Sequence, residues 1–210
     1  MNVGCLGWGE SGGMGEGWGD FFATILRMTP NDTRSSVYSM GEYSAGRGIR
    51  NYKVIFLQFI LIFKYSTSLE TNPSTYAFIN KPGYWGVHAK GEVWAEILYE
   101  VYWNVVDDHG FSPLWFNHPK TKGKSKKVKE TFGNRMMLQN VVDGLKLQPC
   151  YPTFVDARDA IILADKINYK GMNKCALWRG FAKRGLGKGA ESGGAEDFSV
   201  PKECDEIHDA

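Results

Sequence analysis

Residues 87–109, VHAKGEVWAEILYEVYWNVVDDH, constrain the fold more than any other stretch of this chain. Val93, Ile97, Val101 and Val105 recur every four residues, with Trp94, Leu98 and Tyr102 beside them. That spacing lays a broad apolar face along one α-helix. Gly110 follows, where a C′ glycine closes a helix. Glu92, Glu96 and Glu100 step along the same helix and read as its polar face. Four more helices are expected. One runs over about 16–28 (EGWGDFFATILRM), broken by Pro30. A second covers 134–147 and stops before Pro149. A third (DARDAIILADKI) takes Thr153 or Asp156 as its cap. The last spans about 172–184 and ends at Gly185, its final turn carrying basic residues that suit the helix dipole. The class is mainly α, with no internal repeat.

Two stretches do not read as helix. Residues 4–19, GCLGWGESGGMGEGWG, hold many of the chain's 25 glycines. They read as a loop whose backbone must adopt positive φ or approach something closely. Residues 53–64, KVIFLQFILIFK, are almost wholly apolar and show neither helical nor strand periodicity. Taken alone they read as a buried strand. The run is too short to cross a bilayer, which takes about 20 apolar residues, so no membrane partner is expected. The tail after 188 is polar and reads as loose.

With 43% hydrophobic and 23% charged residues, the chain is globular in composition. Its formal charge of +2 conceals one basic block, Lys120, Lys122, Lys124, Lys126, Lys127 and Lys129; the remainder is net acidic. No aromatic residues interleave the lysines, so a solvated loop is expected and no nucleic-acid partner. Met1–Gly19 has neither the basic nor the apolar region of a signal peptide. The four cysteines, Cys5, Cys150, Cys175 and Cys204, form no Cys-x-x-Cys pair, which argues against a zinc ribbon or thioredoxin-like motif. Two disulfides in a secreted protein and four buried thiols in a cytosolic one both fit this spacing.

Glu16 and Asp20 stand four residues apart near the start of a helix, so both carboxylates share a face. Such a pair suits a metal site, in which one carboxylate binds the ion and the other orients a ligand histidine. It equally suits a capping or solvated pair at a helix N-terminus.

The segments CLGWGESGGMGEGWGDFFAT, GVHAKGEVWAEILYEVYWNVVDDHGF, VVDGLKLQPCYPTFVDARDAI, NKCALWRGFAKRGLG and DFSVPKEC resemble the fungalysins, secreted fungal zinc metalloproteinases of the thermolysin-like clan. They come in family order and span most of residues 5–204. The resemblance implies the helical C-terminal lobe of a thermolysin-like metallopeptidase, preceded by the glycine-rich loop and the ligand-glutamate helix. It implies Zn²⁺ held by the two histidines of a His-Glu-x-x-His helix and by a downstream glutamate, here Glu16. Asp20 corresponds to the carboxylate that holds a ligand histidine. Glu10 lacks an aspartate four residues on and is not preferred. Arg50, in GIRNY, and His88, in GVHAKG, are implied cleft residues. The resemblance also implies two disulfides, Cys5–Cys150 and Cys175–Cys204.

The chain contains no His-Glu-x-x-His; none of His88, His109, His118 and His208 is followed by glutamate. In the family that motif precedes the CLGWGE segment, so the general base is expected before Met1, together with the first catalytic lobe, the propeptide and the signal peptide. The expected organisation is a remnant of the zinc-site region over 1–30 and a loop-rich connection over 31–86. The helical lobe then covers 87–204, with a tail at 205–210. Removing Val54–Lys64 leaves GIRNY-K-YSTSLETNP, which reads as continuous family sequence. That stretch is therefore expected to be a retained intron or an error of gene structure. The function implied is extracellular proteolysis of protein and peptide substrates, with no activity in the 210 residues alone. The alternatives are a pseudo-protease that binds peptide or propeptide, and a product that does not fold.

Overall fold

The computed structural model describes residues 3–40, 63–115 and 132–205. Five α-helices follow one another among them: α1 (Gly9–Leu26), α2 (Val87–His109), α3 (Gly133–Leu147), α4 (Phe154–Tyr169) and α5 (Lys174–Lys183). Short 3₁₀ turns lie at Val3–Leu6, Tyr76–Asn80 and Lys202–Cys204. Extended pairing among the described residues is limited to single bridges, one of them joining Tyr38 to Tyr65. The basic block and residues 53–62 of the apolar stretch lie outside the described residues, so neither expectation is tested.

The central element is α2, which packs against α1, α3 and α5, while α3 packs against α4. Every residue from Gly91 to Trp103 is buried. Trp94 meets Trp18 edge-on at 6.2 Å between ring centroids, and Tyr102 meets Phe21 at 6.3 Å. Trp94 also lies 4.9 Å from the ring of Phe154, at the start of α4. Gly110 closes α2 at φ +76°, its N–H donating to the carbonyl of Val106 at 2.7 Å. Thr153 caps α4 in a reciprocal box with Asp156.

The glycine-rich segment corrects the loop reading, because α1 begins at Gly9 rather than near Glu16. Glycine in a helix costs about 1 kcal/mol against alanine. Close approach to α2 offsets that cost. A β-carbon at Gly13 would come within 2.5 Å of the β-carbon of Lys90, and one at Gly17 would strike the carbonyl of Gly91. The dense glycines thus form a seam along which two helix backbones nearly touch.

The polar-face reading of α2 is corrected as well. Glu92, Glu96 and Glu100 retain only 7%, 0% and 0% of their surface. The buried Arg184 guanidinium lies 2.8 Å from Glu96 and 3.3 Å from Glu100. Lys183 and Arg34 reach Glu100 at 2.9 and 2.7 Å. The basic end of α5 therefore turns inward to pair with α2 instead of facing solvent near its own helix terminus.

Both pairs of cysteines are disulfide-bonded, Cys5 to Cys150 and Cys175 to Cys204. The first ties the turn before α1 to the α3–α4 connection. The second fastens the end of the described chain to α5. The described residues after 188, 189–205, are not loose, in contrast to the expectation. Asp197 accepts from the backbone N–H groups of Gly189 and Ser199, both at 2.9 Å, and Leu186 bridges to Asp197.

Candidate metal centre

The α1–α2 seam sets the site. Because Gly13, Gly17 and Gly91 bring the backbones together, Glu16 on α1 stands beside the first turn of α2. Its Oε2 lies 2.8 Å from Nδ1 of His88. Both side chains reach solvent, Glu16 at 42% and His88 at 64% exposure, so the pair sits on a rim and not in the core. One helical turn on, the half-buried Asp20 accepts from the hydroxyl of Tyr65 at 2.7 Å. Tyr65 is itself buried at 3% exposure.

The loop carrying Tyr65 is fixed from below. Arg184 donates to the carbonyls of Ser66 and Asn72, each at 2.6 Å, and of Ser74 at 3.1 Å. Glu96 accepts from the Ser66 N–H at 3.2 Å and from the Asn72 side chain at 2.8 Å. Burial pushes the Glu96 carboxyl up to about 8, against the opposing pull of Arg184. The buried network thus holds in place the residue that orients Asp20.

Glu10 has a structural role. It accepts from the Tyr76 hydroxyl at 2.9 Å, the Phe154 N–H at 2.6 Å and the Gly193 N–H at 2.7 Å, joining three distant segments. Burial, with Glu10 beside it, holds the Tyr76 phenol above its ordinary range. Arg50, His118 and His208 lie outside the described residues, and His109 ends α2. Tyr65 is the residue that sequence reasoning missed. No local signal marks it, because its partner Asp20 is 45 residues away in the chain. Among the described residues no group of three or more His, Cys, Asp or Glu side chains could hold a metal ion. No helix there is long and apolar enough to cross a membrane.

The model of the fungalysin metallopeptidase family (M36) matches residues 1–190. The chain belongs to the fungalysin family. It is similar to the extracellular metalloproteinase of Pyrenophora tritici-repentis, at 47% identity over 205 residues, covering 95% of this chain and 29% of that protein. It is similar also to the probable extracellular metalloproteinase 5 of Arthroderma benhamiae, at 48% over 212 residues, covering 97% and 30%. Extracellular metalloproteinase 4 of Trichophyton soudanense is 48% identical over 191 residues, covering 90% and 44%. This fungalysin chain thus spans less than half the length of each of these relatives. The helical architecture around α2 agrees with a fungalysin C-terminal lobe.

Proposed function

We propose that this chain supplies one wall of the active site of a secreted zinc metalloendopeptidase. The observation that carries the reading is Glu16, a solvent-reaching carboxylate fixed by His88 on the α1 rim with Asp20 one turn away. A glutamate oxygen is a usual zinc donor in a His₂Glu set, so Glu16 fits as one ligand. The remaining two would be histidines of a His-Glu-x-x-His helix, which these 210 residues do not contain. When bound, the ion supplies a water of lowered pKa and polarises the peptide carbonyl. Asp20, oriented by Tyr65, receives the ring N–H of a ligand histidine and fixes its tautomer. As an imidazolium, in which both ring nitrogens are donors, His88 would keep one N–H on Glu16 and direct the other at a substrate oxygen that gains charge. Lacking the other ligands and the general base, the chain alone does not cleave peptides.

The test is a chimera in which this chain replaces its matching segment in the Pyrenophora relative. Casein cleavage that stops with a zinc chelator is expected. Glu16→Ala should abolish both cleavage and stoichiometric zinc. Asp20→Asn should weaken zinc binding or activity by about 10–100-fold. A Glu16→Ala chimera that keeps zinc and activity would remove Glu16 from the ligand set. Chelator-sensitive cleavage by the unassisted chain would contradict its inactivity.

A further inference from the structure

Asn31-Asp32-Thr33 is the one Asn-x-Ser/Thr sequence in this chain whose middle residue is not proline. We propose that Asn31 carries an N-linked oligosaccharide.

Its setting is that of an acceptor. Asn31 and Thr33 are exposed in the turn that follows α1. The intervening Asp32 carboxylate is folded back, accepting from the N–H and hydroxyl of Thr29 at 2.7 and 2.9 Å. It is thereby directed toward Thr29 instead of shielding the Asn31 amide. The hydroxyl of Thr33, needed two residues after the asparagine, lies at the surface 2.9 Å from that of Ser35. A second observation is independent of the motif. All four cysteines are paired, and such disulfides form in the oxidising secretory compartment, where sequons meet the transferase.

The chain also holds its own negative control. Asn72-Pro73-Ser74 has proline in the middle, and Asn72 is 3% exposed and bonded to Glu96 at 2.8 Å. That position should stay bare.

In the transfer, Nδ2 of Asn31 forms a bond to C1 of the first sugar of a lipid-linked diphosphate oligosaccharide. The bond from C1 to the phosphate oxygen breaks and its electron pair leaves with the lipid diphosphate. One amide proton passes to a base of the transferase. The product places sugar beside the open groove of about 480 Å³ lined by Thr33, Arg34, Val37, Ser66, Thr67 and Thr71 among others. Along α1 the step from residue 16 to residue 26 is about 15 Å at 1.5 Å per residue, so the attachment lies well away from Glu16.

The proposal rests on entry into the secretory pathway, not on zinc chemistry. The chain should be directed through the secretory pathway of a yeast by a cleavable leader. Secreted and retained pools are both collected, treated with N-glycosidase F in heavy-oxygen water, and analysed as peptides. The expected result is a labelled aspartate at position 31 and an unlabelled asparagine at 72. Asn31→Gln and Thr33→Ala should abolish the label, while Thr33→Ser should keep it. An unmodified Asn31 in translocated chains, or sugar on the Asn31→Gln variant, overturns the proposal. An inactive chimera whose Asn31 is glycosylated would count against the zinc reading alone.

Discussion

Replacing Arg184 by methionine removes a guanidinium that has no exposed surface. Methionine roughly keeps the stem but leaves the carbonyls of Ser66, Asn72 and Ser74 without their donor. It also strips Glu96 of the cation 2.8 Å away, whereas Glu100 keeps Lys183 at 2.9 Å and Arg34 at 2.7 Å. Breaking a buried pair by removing one partner costs about 3–5 kcal/mol, because the other charge stays behind. The surviving partners of Glu100 place Arg184→Met toward the lower end. For a chain of this size that is a fall in Tm of roughly 10 °C. The loss has a definite pH signature. Burial already holds the folded Glu96 carboxyl at about 8 against an ordinary 4.5. A carboxyl raised in the folded state contributes fully below its unfolded pKa, and the contribution is lost as pH rises through the folded value. Without Arg184 the folded value climbs further, so the deficit should be least near pH 5, where only the pH-independent cost of the three orphaned carbonyls remains, and largest above about pH 8. Urea unfolding followed by tryptophan fluorescence measures it. Lys146→Ala serves as the control, since it breaks only a solvent-facing pair with Asp143 worth at most about 1 kcal/mol. If Arg184→Met stayed within about 1 kcal/mol of the parent at pH 8, or its deficit ignored pH, the network would not be the buried charge system described.

Two further perturbations test the frame around the site. A β-carbon at Gly91 would stand 2.8 Å from the Gly13 carbonyl, the Gly17 nitrogen and the Glu16 β-carbon. Gly91→Ala should therefore cost about 1–3 kcal/mol by overpacking, and an unchanged urea midpoint would mean the seam is looser than drawn. The disulfides span 145 residues (Cys5–Cys150) and 29 residues (Cys175–Cys204). Loop entropy then predicts that opening them by Cys→Ser pairs costs about 5 and about 3.5 kcal/mol respectively. A larger loss for the shorter loop, measured by thermal melting, would refute that account.

Local signals in the sequence located most of the helices. Thr153 and Asp156 marked the start of α4, and Gly110 marked the end of α2, because caps act over one turn. Glu16 and Asp20 were legible only through a resemblance, since i, i+4 carboxylates are common at helix starts. The glycine helix was misread because what stabilises it, the backbone of Gly91, is far along the chain. Glu96 and Glu100 were misread for the same reason, their cation being Arg184. A local clue did exist. Val93, Trp94, Ile97, Leu98, Tyr99, Val101, Tyr102 and Trp103 cover every side of that helix, and a helix apolar all round is buried. Its glutamates could not have faced water.

The three carbonyls gripped by Arg184 have a consequence for variation in length. They lie at 66, 72 and 74, immediately after Tyr65, and Asn72 also donates to the carbonyl of Lys64 at 3.1 Å. The grip works like the strain relief on a cable. Residues added or lost before Lys64 reach a chain already fastened to the core, so Tyr65 and the Asp20 it holds keep their places. The fold thus offers a tolerant position for insertions a few residues from a geometry that tolerates almost none, and sequence drift can accumulate on one side of a single buried arginine without crossing to the other.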